Sequence, residues 1–282
     1  MAVTFEDCCI SASAPHSEII ALLKLHGFIV VKGLLSPEAA AEVKAELQPG
    51  LDAQAPKEGD ALWDGSFFPS TTRHTAGALV KSPAFVKSLV LNDTIYEIAK
   101  DTLSKRTKLR LMTPKKWATS LPHISTCGAL ELHPGTPAQP IHRDDTLWHV
   151  DQPAADVWTR GRDATITTLT ALSPCFPENG ATLFIPGSHL WDEYRDPTYE
   201  ECLSGIMDVG DTAIFLGRTM HAGGHNATKD SVRTLAVFTY CSGFLRTEEN
   251  QFLVMKSDPE ATAQLPRRAL ELAGYDISLP FT

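Results

Sequence analysis

The order of apolar and polar positions divides the chain into a helical first third and a strand-rich remainder. Residues 17–26, Ser-Glu-Ile-Ile-Ala-Leu-Leu-Lys-Leu-His, repeat apolar side chains at helical spacing, and Gly27 follows as a stop signal. Phe28 to Val31 is a short apolar, β-branched run that predicts a strand. Ser36-Pro37-Glu38 then opens a second helix, with Ser as N-cap, Pro in the first turn and an acid at the positive end of the dipole. That helix is expected to run to about Leu47 and to end at Pro49-Gly50, before a polar loop over 52–70. Ser82-Pro83 marks another helix start, and 93–103 is helical by period. From Lys108 onward the period changes to short alternating runs bounded by Pro, Gly, Asn and Asp. The candidate strands are 108–113, 124–132, 140–144, 165–172, 181–185, 212–216 and 232–241. The pattern predicts a mainly β fold, an antiparallel sandwich or barrel with flanking helices. There is no repeat and no low-complexity linker, so 1–282 reads as a single domain.

Composition narrows the partners rather than the fold. The net charge is −9, and no basic run exceeds a few residues, which argues against nucleic acid and anionic membranes. No apolar run approaches the ~18 residues of a membrane span. Met1 to Ile10 lacks the basic start and apolar core of a signal peptide. Six cysteines, at 8, 9, 127, 175, 202 and 241, form no Cys-x-x-Cys pair and read as free thiols of a reducing cytosol.

The candidate chemistry centres on Gln139 to His149, which contains His142-Arg143-Asp144. In a strand, residues two apart share a face, so His142 and Asp144 can reach one metal ion. Two histidines and a carboxylate with open positions are the ligand set of non-haem Fe(II) oxygenases. Further on, Gly210-Asp211 turns into the run 212–216 and leads to His221, which precedes the pair Gly223-Gly224. A histidine at a strand end beside glycines can approach a metal without crowding. Arg233 sits inside the apolar run 232–238. A cation there is costly without an anion, and the guanidinium offers a fork for a carboxylate. Between these, Asn179-Gly180 makes a hairpin turn, Thr182 starts the returning strand, and Pro186-Gly187-Ser188-His189 ends it.

This order of motifs resembles the phytanoyl-CoA dioxygenase family, and within it the fungal dioxygenases that tailor meroterpenoids and related secondary metabolites. Arg246 to Leu253, the ending from Leu265-Pro266 to Gly274-Tyr275, Phe67-Phe68-Pro69 and Arg73 are also similar to that subgroup. The resemblance implies a double-stranded β-helix (jelly-roll, cupin-like) core. It implies Fe(II) on His142, Asp144 and His221, and 2-oxoglutarate on the iron with its far carboxylate on Arg233. It implies that Gln139 and Thr182 touch the cosubstrate, that Arg73 lies near the substrate, that O2 is consumed, and that subunits pair as homodimers. Halogenating relatives carry a small residue in place of the Asp, so Asp144 disfavours halogenation.

His225 and His189 compete with His221 as the distal ligand, while His149 and His133 flank the first motif. The aromatics Trp63, Phe67, Phe68, Trp117, Trp148 and Trp158 are expected mostly in the core, a few lining a pocket for a lipophilic substrate. Loops at 52–80, 113–123 and 145–163 are candidates for a lid. Two rivals stand beside the natural-product dioxygenase. One is an acyl-CoA hydroxylase, which needs a cationic groove for the CoA phosphates. The other is a metal-binding jelly roll without turnover.

Overall fold

The computed structural model describes residues 3–53, 67–110 and 116–275; Trp63 and the tip of the 108–113 run lie outside them. Twelve strands are present among these residues. They are Cys9–Ser11 (β1), Phe28–Lys32 (β2), Thr72–Ala76 (β3), Lys105–Leu109 (β4), Lys116–Ser120 (β5), His123–Leu132 (β6), Thr165–Ala171 (β7), Leu183–Phe184 (β8), Leu203–Ser204 (β9), Thr212–Leu216 (β10), His221–Ala222 (β11) and Arg233–Cys241 (β12). Seven form one sheet in the order β1-β2-β10-β7-β12-β6-β3, and three form a smaller sheet in the order β11-β8-β9. The smaller sheet is extended by isolated bridges, His142 with His221, Cys175 with Met207 and Asn179 with Asn226. The two sheets make a jelly-roll core.

Strand alternation sorts the core into two layers. Ile29, Val31, Ile166, Ile214, Ala236 and Phe238 face one way, against the helices. Phe28, Val30, Leu169, Ala213, Phe215 and Leu235 face the other way, against Phe184 of the small sheet. Phe184 is fully buried and stacks on Phe28 with ring centroids 4.6 Å apart.

The helices follow their signals. His16–His26 buries Ile19, Leu23 and His26, and Gly27 closes it at φ 83°, a conformation open to glycine. In Pro37–Asp52 the Ser36 side chain accepts from the Ala39 N–H. This helix runs past Pro49, against the expectation of an end there. A proline there lacks an N–H and crowds the carbonyl one turn back, but it lies in the last turn, which still closes through Ala53 N–H to Pro49 O (3.1 Å). The helix Asp93–Leu103 has the predicted bounds.

Two strand readings needed correction. β3 falls at the edge of the expected polar region, and 140–144 is a single bridge rather than a strand. Asn179-Gly180 is a turn, but it passes the chain from one sheet to the other instead of folding a hairpin. The Asn179 side chain holds it, accepting from Phe176 N–H and donating to Pro174 O. β4 and β5 form a separate two-stranded ribbon carrying Lys105, Arg106, Lys108 and Lys116, a local exception to the overall acidity.

Candidate metal and active site

His142 and His221 face each other across two backbone bonds, each N–H donating to the other's carbonyl at 2.9 Å. After His142 the chain turns into a short 3-10 helix, Asp144–Trp148, which starts at the third group. The pair His142-x-Asp144 therefore meets because the chain turns, not because a strand alternates. One ligand atom from each of His142, Asp144 and His221 lies within 4.8 Å of the others. Asp144 Oδ1 is 3.4 Å from His221 Nε2 and 3.9 Å from His142 Nε2.

Hydrogen bonds around these side chains point the right atoms inward. His142 Nδ1 lies 2.9 Å from Pro140 O and His221 Nδ1 lies 3.0 Å from Thr219 O. A carbonyl only accepts, so each Nδ1 carries the proton and each Nε2 keeps its lone pair. Thr167 donates to Asp144 Oδ2 at 2.7 Å, which leaves Oδ1 toward the imidazoles. Phe67 packs edge-on to His142 and Phe215 lies against His221, so both rings are fixed. This donor set fits a divalent metal with open coordination positions.

Charge follows the same logic. Burial and the neighbouring His221 push the His142 imidazole down to about 4. Burial alone would raise the Asp144 carboxyl, but His221, His142 and Thr167 bring it down to about 2. Burial would lower His221, yet the Asp144 carboxylate outweighs it and holds the imidazole above its ordinary value. Below that raised value His221 carries a second proton, on Nε2 facing Asp144, and a metal must displace it. Affinity for Co(II) should therefore fall as the solution is acidified through the range below the raised pKa of His221, approaching about tenfold per pH unit. Metal titrations at stepped pH would show it, and a flat affinity through that range would contradict the arrangement.

Thr167 gives a second expectation. Thr167→Val removes the hydroxyl that holds Asp144 and should weaken metal binding about 10- to 100-fold while leaving the core packed. An unchanged metal affinity would show that Asp144 is oriented by something else.

Arg233 opens β12 and is 2% exposed. Its Nη1 donates to Gly180 O (2.5 Å) and to Thr182 Oγ1 (3.2 Å), while Nε has no partner. Among the described residues no carboxylate pairs with it, and burial alone pulls its pKa down. A buried guanidinium with its Nε side open is a receptor for an anion. Thr182 is buried beside it. Gln139 Oε1 accepts from Gly223 N–H (2.8 Å) and Nε2 donates to Phe67 O (3.1 Å), so this amide braces the loop after His221.

The structure does not bring Arg73 to this cluster. Cross-strand register aligns Arg73 with Glu131 and Thr234, on the opposite sheet face from Arg233. There Arg73 lies 3.5 Å from Asp52. The competing histidines also lie elsewhere. Buried His189 reaches Lys24 O, His225 reaches Thr136 O, His133 pairs with Glu131, and His149 is an exposed left-handed residue at φ 55°. The described aromatics are not in the core, against the expectation: Trp117 is 54% and Phe68 38% exposed, while Phe67, Trp148 and Trp158 are half-buried, with Trp158 packed against the core from outside.

Thr167 and the network behind the ligands escaped sequence reasoning. Arg143, between His142 and Asp144, is buried and turns to a set of carbonyls instead of joining the cluster. It donates to the carbonyls of Arg218, Ser188, Trp191 and Asp192 and pairs with Glu193, which also takes Arg218. Asp145 is buried, and burial together with Asp163 pushes its carboxyl up to about 8, so it is mostly protonated at neutral pH. Nothing local in the sequence signals this network, since a charge between two ligands is open to either face.

A jelly roll carrying two histidines and one aspartate, with a buried, acid-free arginine on the inner sheet face, defines a non-haem Fe(II)- and 2-oxoglutarate-dependent dioxygenase. Residues 23–234 match the phytanoyl-CoA dioxygenase (PhyH) family, and the chain belongs to it. It is 32% identical to the dioxygenase swnH1 of Metarhizium robertsii over 94% of this chain and 84% of that protein. It is likewise 32% identical to the dioxygenase cnsJ of Penicillium expansum, over 94% of this chain and 78% of that one. Among solved structures it is similar to the epimerase SnoN in complex with Fe3+, α-ketoglutarate and nogalamycin RO. The TM-score is 0.58 at 19% identity, covering 84% of this chain and 88% of that one. The chain is thus an iron dioxygenase of this family. No helix among the described residues is long and apolar enough to cross a membrane.

Proposed function

We propose that this enzyme oxidises an unactivated C–H bond of a small lipophilic natural product, of the terpenoid or meroterpenoid kind. His142, Asp144 and His221 hold Fe(II), and the Nε side of Arg233 takes the far carboxylate of 2-oxoglutarate with Thr182 beside it. When bound, iron, 2-oxoglutarate and O2 supply the oxidising power for C–H cleavage, leading to hydroxylation, desaturation, rearrangement or endoperoxidation. The chain's own residues bind, orient and exclude water. Gln139 keeps the loop after His221 closed and has one amide N–H left for the cosubstrate.

The observation that carries this reading is the buried, acid-free Arg233 on the same sheet face as Thr167, which holds Asp144. The apolar character of the substrate is supported by Phe67 against His142, Phe68 against Phe67, and exposed Leu147 within the helix that begins at Asp144. We read 1–282 as one domain, supported by helices from both ends of the chain packed on the same core. We read it as a homodimer, as the family resemblance implies, and as cytoplasmic, supported by six free cysteines.

One observation favours the acyl-CoA reading: the ribbon β4–β5 gathers four cations. Incubation with Fe(II), 2-oxoglutarate and O2 separates the two. Succinate formation stimulated by terpenoids and not by acyl-CoA esters is expected, and the reverse would replace this reading with the acyl-CoA one.

A further inference from the structure

Arg246 to Leu253, similar in sequence to the fungal subgroup, plays no part in the metal centre, yet it lies beside it. After β12 the chain turns back and runs along the stretch of β6 that β3 leaves uncovered. Glu248 N–H donates to Ser125 Oγ (3.0 Å) and Glu249 N–H to Ser125 O (3.1 Å), which caps an otherwise open edge. The Trp148 indole N–H donates to Arg246 O (2.7 Å), tying this segment to the helix that begins at Asp144.

The two acids of the segment diverge. Glu249 is occupied by Gly77 N–H, Cys127 N–H and the Gln251 amide. Glu248 turns to the inner face of the sheet, where its Oε2 accepts from Thr126 Oγ1 (2.9 Å). Thr126, Thr239 and Thr167 are direct neighbours on three adjacent strands. Thr239 donates to Thr167, and Thr167 to Asp144. Adjacent strands lie about 4.8 Å apart, so Thr126, which bears Glu248, lies about 10 Å across the sheet from Thr167. Glu248 is exposed and makes no ion pair among the described residues. Its inner side is shielded from solvent by the sheet, and that shielding together with the charge of Asp144 holds its carboxyl above the ordinary range.

We propose that Glu248, seated on Thr126 at the mouth of the site, receives a protonated amine of the substrate, so that the apolar skeleton oxidised here carries a basic nitrogen. An ionised carboxylate only accepts, and with one oxygen on Thr126 the other is open to a donor. An ammonium gains both the hydrogen bond and the charge, while an acidic substrate is repelled by Glu248 and Asp144 together. Anchoring one end of a rigid skeleton fixes which C–H bond faces the metal. This inference rests on the dioxygenase reading of the site.

The test uses three probes of one shape, 1-aminoadamantane, 1-adamantanol and adamantane-1-carboxylate, titrated calorimetrically under argon into protein loaded with Fe(II) and 2-oxoglutarate. The amine should bind about three- to tenfold more tightly than the alcohol, the modest preference of a partly exposed charged pair, with the carboxylate weakest. E248Q should remove that preference by weakening the amine alone, and should leave the visible iron–keto-acid absorption unchanged. Equal binding of the three probes, no binding by any, or a preference that survives E248Q would overturn the proposal. Loss of the iron–keto-acid absorption in the parent protein would instead overturn the reading beneath it.

Discussion

Asp144→Ala should abolish substrate-dependent succinate formation, a loss of about 10³-fold or more, because a bound metal supplies several kcal/mol of barrier reduction. The fold should survive. Asp144 is held by one hydroxyl and two imidazoles at the edge of the core, and its side chain is 27% exposed. Circular dichroism should match the parent, and metal titration should show a large loss of affinity. The change also removes the carboxylate that holds His221 above the ordinary imidazole range, so that ring should titrate lower in the variant. Retained turnover in a folded D144A protein would exclude Asp144 as a ligand.

Arg233→Gln should raise the KM for 2-oxoglutarate about 10²-fold, within the 2–5 kcal/mol expected when one partner of a buried charge pair is removed. Arg233→Lys should recover only part of this, because an ammonium keeps the charge and loses the fork. Stability gives an independent readout. In the absence of 2-oxoglutarate the buried guanidinium has no acidic partner among the described residues, so R233Q should not lower the melting temperature and is expected to raise it. The melting shift caused by saturating 2-oxoglutarate in the parent should vanish in R233Q. A destabilised variant with an unchanged KM would make Arg233 a structural residue.

Much of this arrangement was legible in the chain, for reasons that differ by element. Helices declared themselves, by a cap at Ser36-Pro37 and by period over Asp93–Leu103, whose Asn92 cap, accepting from Ile95 N–H, was not read from the sequence. Central strands did too, because β7, β10 and β12 are buried on both faces and read as apolar or Thr-rich runs. β3 did not. Thr-Arg-His-Thr-Ala has no hydrophobic alternation, and its conformation comes from pairing at the sheet edge with β6.

The site divides the same way. Spacing proposed His142, Asp144 and His221 correctly as neighbours, but through a strand that is in fact a bridge followed by a 3-10 turn. Arg233 was legible as a cation inside an apolar run. Arg73 was proposed from resemblance alone, and its sheet face depends on register, where one step separates the Arg233 face from the Thr234 face. Thr167 was invisible, since nothing local distinguishes it from Thr165, Thr168 or Thr170.

The most direct measurement is anomalous diffraction at the iron edge from crystals grown anaerobically with Fe(II) and 2-oxoglutarate. The expected result is one iron peak bonded to Nε2 of His142, Nε2 of His221 and Oδ1 of Asp144, with the distal carboxylate of 2-oxoglutarate on Arg233. Iron on His189 or His225, or no bound iron at saturating Fe(II), would contradict the account.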